Sequence, residues 1–67
     1  MPVFTYSVDL RQLSEKDRES IYDYLDRAAE TGLYETGTKH LYRCYLDEKE
    51  LQRAARFVPA NVLHQVP

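Results

Sequence analysis

The residue types most often found as nucleophiles or as nitrogen and sulfur ligands of metal ions are few: one cysteine, two histidines and three serines. His40 and Cys44 share a face of a predicted strand, but four residues along a strand span about 13 Å, too far for joint coordination of one metal ion. No serine stands in a motif with a base, and two glycines cannot form a phosphate-binding loop. We therefore expect a non-enzymatic protein with no catalytic residue, metal site or cofactor, in which Cys44 is a small buried residue.

Acidic side chains recur along residues 15–30 at the spacing of a helix face. At about 100° per residue, five of them fall within a sector roughly 80° wide, opposite the apolar residues of the same helix. Neighbouring like charges at these spacings each cost about 0.2–0.5 kcal/mol, so a helix selected only for stability would carry interleaved lysines. The row consists of Glu15, Glu19, Asp23, Asp26 and Glu30, and Tyr22 lies at its edge.

This acidic face has two interpretations: a solvated surface with an uneven distribution of charge, or a docking surface for a basic partner. Successive helical turns rise about 5.4 Å, so the carboxylates form a row spaced much like the phosphates of one nucleic-acid strand. The docking interpretation predicts an interaction protein that regulates or inhibits a partner with a basic, nucleic-acid-handling surface. Phage-encoded inhibitors of the anti-restriction or anti-CRISPR type are analogous in size and charge. The predicted partner-binding residues are Glu15, Glu19, Tyr22, Asp23, Asp26 and Glu30.

Basic side chains gather on the outer side of a second predicted helix, residues 48–57, and one more precedes them on a predicted strand. Such residues can follow a phosphate backbone, so the alternative hypothesis is a small nucleic-acid-binding regulator. The acidic neighbours on this helix and the net charge of −2 argue against direct nucleic-acid binding. The set is Arg43, Lys49, Arg53 and Arg56.

Two capping boxes position the predicted helices. Ser14 and Asp47 can each accept a hydrogen bond from the first helical turn, and each is followed three residues later by an acidic residue. Gly32 is expected to close the first helix in the left-handed conformation. Pro59 marks a point by which the second helix must have ended.

Alternation of apolar and polar residues predicts two strands, at residues 3–10 and 39–46. The core face of the second strand is expected to carry Tyr42, Cys44 and Leu46, because the opposite choice would bury Arg43. The core face of the first strand is expected to carry Phe4, Tyr6, Val8 and Leu10.

Two further segments have less regular patterns. Leu33 and Tyr34 are a candidate short strand that would form a hairpin across the turn at Gly37. The C-terminal segment, residues 60–67, forms either a third short strand or an extended cover over the core.

These elements predict a single α+β domain over residues 1–67, arranged β-α-β-α with a possible extra short strand and with both helices on one face of a small sheet. Its composition, 30% charged and 43% hydrophobic, is that of a folded chain. No apolar run is long enough to span a membrane, and we expect a cytoplasmic protein. The uncovered sheet face would be available to a partner or a second copy, which adds a third hypothesis, a structural oligomer subunit or homodimer. Its expected residues are Val3, Thr5, Leu41, Arg43 and Tyr45.

One short run resembles a known family. Residues 19–25, ESIYDYL, are similar to a helix in toxins of the RelE/ParE superfamily, which carry a comparable IYDY sequence after a first strand. The resemblance covers this run alone. Those toxins continue with several strands and a C-terminal set of basic or catalytic residues, whereas this sequence predicts a helix and a short tail. The resemblance therefore carries over no functional residue.

Overall fold

The computed structural model describes residues 2–67, which form two helices and one four-stranded antiparallel sheet. In chain order the elements are β1 (Val3–Asp9), α1 (Glu15–Ala28), β2 (Glu30–Glu35), β3 (Leu41–Asp47), α2 (Glu48–Ala54) and β4 (Leu63–Gln65). The strand order is β2-β3-β1-β4, which is the ferredoxin-like arrangement of two interlocked β-α-β units. The predicted α+β class is confirmed. The hairpin partner and the C-terminal strand, both left open by the sequence, are β2 and β4.

The central strands β1 and β3 pair along their whole length, from Val3 opposite Asp47 to Asp9 opposite Leu41. Because paired residues point to the same side of a sheet, the alternating apolar residues of both strands form one core face. Leu25 of α1 and Ala54 of α2 are completely buried against it, so both helices cover the same face. The core comprises Tyr6, Val8, Leu10, Leu25, Ala29, Cys44, Leu46, Ala54, Val58 and Val62.

Most of the predicted core residues of the two strands are confirmed. Tyr6, Val8, Leu10, Cys44 and Leu46 are buried, and Tyr42 is half-buried. Phe4 is the exception, because it lies near the start of β1 and remains 41% exposed. Leu46, which lies opposite Phe4 on the same face, is nevertheless buried.

Both helix starts follow the predicted capping boxes. Ser14 Oγ accepts a hydrogen bond from the Asp17 amide at 3.3 Å, and Asp47 Oδ1 accepts one from the Glu50 amide at 2.7 Å. Each cap satisfies an amide that has no partner within its helix.

The predicted end of the first helix is wrong. The helix stops at Ala28, and Ala29 is extended, with its amide bonded to the Leu25 carbonyl at 2.8 Å. Gly32 does adopt positive φ, +81°, but it lies inside β2 next to Thr31, at the register shift between Glu30 and Tyr34. Three contacts replace the helical hydrogen bonds that the sequence pattern would continue. Glu30 pairs with β3, the Gly32 amide bonds to the Ala29 carbonyl at 3.2 Å, and the Leu33 amide bonds to a side chain of α1 at 2.9 Å.

The second helix and the third strand are also shorter than predicted. Helix α2 ends at Ala54 instead of continuing to residue 57, because two amides after it bond to carbonyls three residues back rather than four. Arg56 bonds to Arg53 at 3.2 Å and Phe57 bonds to Ala54 at 3.0 Å, and this tighter turn leaves Val58 buried. Strand β3 begins at Leu41 rather than at residue 39. His40 has φ +63° and belongs to the hairpin turn with Gly37, so it does not share a strand face with Cys44.

Neither helix found within residues 2–67 lies on the other face of the sheet. Val3, Tyr34 and Tyr45 are 41%, 43% and 40% exposed on it, and Arg43 is also exposed. The expectation of a largely uncovered face is confirmed, with Thr5 and Leu41 half-buried within it.

Candidate partner-binding surface

The outward side of α1 carries three exposed carboxylates, those of Glu15, Glu19 and Asp23. Asp23 contacts Arg27 at 3.9 Å, but the two side chains are 66% and 81% exposed, so this surface pair contributes at most about 0.5 kcal/mol. The remaining ion pairs within residues 2–67 are Arg11 with Asp9 and Arg53 with Glu50. Glu15 and Glu19 thus take part in no ion pair within that part of the chain.

Asp26, the fourth residue of the predicted row, has a structural role. Its Oδ1 accepts a hydrogen bond from the Leu33 amide at 2.9 Å, which ties the C-terminal end of α1 to β2. Gly32 passes so close that a Cβ built on it would lie 2.6 Å from the same oxygen. The carboxylate of Asp26 is therefore committed to the fold, although the side chain is exposed.

The structure places two other predicted partner-binding residues away from the outer side of α1. Glu30 belongs to β2 and lies opposite Tyr45, on the uncovered face of the sheet. Tyr22 is half-buried, and its ring meets that of Tyr42 edge-on, with centroids 5.1 Å apart. Burial, and after it the negative charge of Asp26, raises the pKa of Tyr22 above its ordinary value. Tyr22 thus has the internal partner that the sequence did not reveal.

An aromatic pair joins α1 to the turn after α2, on the flank of α1 next to Asp23. Phe57, in the turn after α2, is 69% exposed, and its ring centroid lies 5.4 Å from that of the half-buried Tyr24. Tyr24 also lines a shallow hollow of about 550 Å³, together with Ser20, Asp23, Arg27 and Ala28. Sequence analysis missed Phe57, because a helix extending to residue 57 gave no reason to expect a turn that exposes this ring.

The basic residues of the alternative hypothesis do not form one surface. Arg53 is bonded to Glu50 at 2.9 Å, Lys49 is exposed on α2, and Arg56 lies beyond the end of the helix. Arg43 projects from the uncovered face of the sheet, on the opposite side from α2. A phosphate backbone following α2 would not meet Arg43.

Cys44 is fully buried, and burial raises the pKa of its thiol to about 11. A thiol in this environment is protonated at neutral pH and is a poor nucleophile. Residues 2–67 contain no group of three or more His, Cys, Asp or Glu side chains placed to hold a metal ion. In the same described part of the chain, neither helix has the length and apolar character needed to cross a bilayer.

Comparisons of the chain with family models, with curated proteins and with solved structures found no match. A ferredoxin-like arrangement supports many unrelated activities and does not indicate which one applies. The surface chemistry is therefore the basis for a functional proposal.

Proposed function

We propose that this chain is a non-enzymatic interaction protein that regulates or inhibits a partner protein through the outward side of α1. The proposed partner carries a basic surface of the kind that handles nucleic acid. One observation carries the proposal: Glu15 and Glu19 lie one turn apart, exposed and outside every ion pair within residues 2–67, and the exposed Asp23 extends their row.

The electrostatic argument for a basic partner is that the carboxylates of this row repel one another. A basic groove relieves this repulsion, and opposite charges on two surfaces accelerate their encounter and exclude wrong partners. Glu15, Glu19 and Asp23 are four residues apart, so they succeed one another about every 6 Å along the helix axis. This spacing is close to that of the phosphates along one nucleic-acid strand, so the row suits a groove that binds a phosphate backbone. In this proposal the helix occupies the nucleic-acid site of its partner, as a phage-encoded inhibitor of host machinery would.

In this proposal the aromatic pair of Tyr24 and Phe57 contributes binding energy, and the acidic residues contribute association rate and specificity. Exposed acidic residues contribute more to association rate and specificity than to affinity, whereas buried aromatic anchors dominate binding energy. Phe57 is the most exposed large apolar side chain of the described residues, and Tyr24 beside it lines the same hollow as Asp23. The aromatic pair thus adjoins the Asp23 end of the acidic row, whereas Glu15 and Glu19 lie further around the helix from Tyr24.

The test begins with affinity capture from the native host, followed by identification and purification of the captured protein. Its affinity is then measured for the wild type and for the variant Glu15→Gln with Glu19→Gln. We expect the variant to bind at least about tenfold more weakly, a loss of about 1.4 kcal/mol. Added salt should weaken the wild type more than the variant, and DNA should compete with both.

The matched control is Glu35→Gln with Glu48→Gln, which removes the same charge from two exposed positions elsewhere. Glu48 starts α2 as Glu15 starts α1, so both double variants lose one carboxylate from a first helical turn. The proposal is wrong if the control loses as much affinity as the test variant, or if the captured protein has no basic surface. Direct binding of duplex DNA, abolished by Arg53→Glu with Arg56→Glu, would instead support the nucleic-acid-binding regulator.

A further inference from the structure

The uncovered face of the sheet combines exposed apolar side chains with one exposed charged residue of each sign. The half-buried Asp9 and Asp47 lie on the same face, where Asp9 is paired with Arg11 and Asp47 accepts the Glu50 amide. Val3, Tyr34 and Tyr45 are each at least 40% exposed there, and the rings of Tyr34 and Tyr45 meet edge-on with centroids 5.7 Å apart. Contiguous exposed apolar residues of this size commonly mark an interaction surface.

The two exposed charged residues on this face are Arg43 and Glu30. The register places Tyr34 opposite Arg43 and Glu30 opposite Tyr45, so both charges flank the tyrosine pair on the same side of the sheet. Neither of them takes part in the ion pairs found within residues 2–67. A surface that carries apolar area and both signs of charge is complementary to itself.

The sheet edges are poorly suited to pairing with another chain. Strand β2 is irregular between Glu30 and Tyr34, where Thr31 and Gly32 have positive φ, and β4 has only three residues. Short or irregular edge strands are the usual means of preventing edge-to-edge association. Contact between two copies would therefore be made face to face.

We propose that the uncovered sheet face is the contact between two copies of this chain related by a two-fold axis. In such a contact, Arg43 of one copy meets Glu30 of the other, and the same pair forms a second time. A hollow of about 420 Å³ beside Arg43 receives side chains of the second copy. Both tyrosines and Leu41 line it, together with the polar residues Ser7, Glu35, Thr36 and Thr38. The helices lie on the outer sides of the dimer, which leaves the acidic side of α1 free in both copies.

The size of the face sets the expected affinity. Strands of seven, six, seven and three residues, about 4.8 Å apart with a rise of about 3.4 Å per residue, present roughly 375 Å² in projection, so the contact is smaller than a standard specific interface. We therefore expect a micromolar dissociation constant. A single-stranded nucleic acid fits the face less well, because Arg43 is accompanied by the opposite charge of Glu30 and one cation neutralises few phosphates.

Sedimentation equilibrium over a wide concentration range tests the proposal. We expect the wild type to dimerise, and Arg43→Glu and Glu30→Arg each to weaken dimerisation at least about tenfold, because each brings like charges together twice. An equimolar mixture of the two variants should form a heterodimer, since both of its contacts then join opposite charges. Lys49→Glu, an exposed change on α2, is the control and should dimerise as the wild type does.

Three outcomes would overturn the proposal: a wild type that stays monomeric throughout, single variants that dimerise normally, or variants that fail to associate when mixed. Circular dichroism of each variant shows whether it is folded. If both variants have the spectrum of the wild type and associate only when mixed, misfolding does not explain their failure to dimerise alone. Binding of a single-stranded RNA oligonucleotide to a monomer, lost in Arg43→Glu, would assign the face to nucleic acid instead.

Discussion

Replacing Gly32 by alanine tests whether Asp26 anchors β2 to the end of α1. Two costs arise at this position. An alanine at φ +81° is strained, and its Cβ would lie 2.6 Å from Asp26 Oδ1, so the carboxylate must move away from the Leu33 amide. Gly37 has a similar φ, +91°, but nothing lies within 4 Å of a Cβ built on it. The two glycines therefore share the backbone cost and differ in the steric one.

The magnitudes follow from these two terms. Left-handed backbone costs an L-residue about 1–2 kcal/mol, and the lower entropy of the unfolded alanine chain returns about 0.4–1 kcal/mol. Loss of the hydrogen bond between Asp26 and Leu33 adds about 0.5–1.5 kcal/mol for Gly32→Ala alone. We expect Gly32→Ala to lower the free energy of unfolding by about 1 kcal/mol more than Gly37→Ala does. In a domain of this size that difference lowers Tm by about 4–8 °C.

Thermal and urea unfolding followed by circular dichroism measure both variants. The decisive comparison is made in an Asp26→Ala background, where the clash is absent and Gly32→Ala should cost the same as Gly37→Ala. Equal costs for the two glycine variants in the wild-type background would refute the role assigned to Asp26. So would an unchanged difference after Asp26 is removed.

Two further predictions concern single side chains. Hydrogen bonds from Arg11, at 2.9 Å and 2.8 Å between the side chains, lower the pKa of Asp9 from 3.8 to about 2. This pair stabilises the fold above about pH 4, and its contribution is lost as the pH falls through about 2. Arg11→Gln should therefore flatten the dependence of Tm on pH between about 4 and 2, and an unchanged slope would contradict the pairing. The buried thiol of Cys44 should react with a disulfide reagent only as the protein unfolds; rapid reaction of the native protein at neutral pH would show that Cys44 is exposed.

The parts of the fold that could be predicted from sequence are those with local causes. Alternation identified the core face of β1 and β3, because a strand that buries one side must place apolar residues at every second position. Ser14 and Asp47 identified both helix starts, because a cap is a contact between residues three apart. Neither inference required knowledge of a distant segment.

The helix ends could not be predicted in this way, because they depend on contacts between distant residues. The residues around Glu30 contain no local signal for pairing with Tyr45. Because that pairing forms, the segment predicted as the last turn of α1 is the start of β2. For the same reason, Glu30 was predicted on the outer side of α1 but lies on the uncovered face of the sheet. The exposure of Phe57 escaped prediction for a related reason, since it depends on α2 ending at Ala54 so that Val58 is buried.

The acidic residues that looked equivalent in sequence have different roles in the fold, and this determines how the proposed function should be tested. Asp26 holds the Leu33 amide, Glu30 lies on the uncovered sheet face, and Asp23 has Arg27 as a neighbour. Reversing the charge of Asp26 would break the junction between α1 and β2, so a loss of binding would be indistinguishable from a loss of structure. Glu15 and Glu19 are exposed and outside every ion pair within residues 2–67, so their neutralisation changes the surface potential with the least change to the fold. An effect on binding from these two positions, with Tm unchanged, would therefore be attributable to the acidic surface itself.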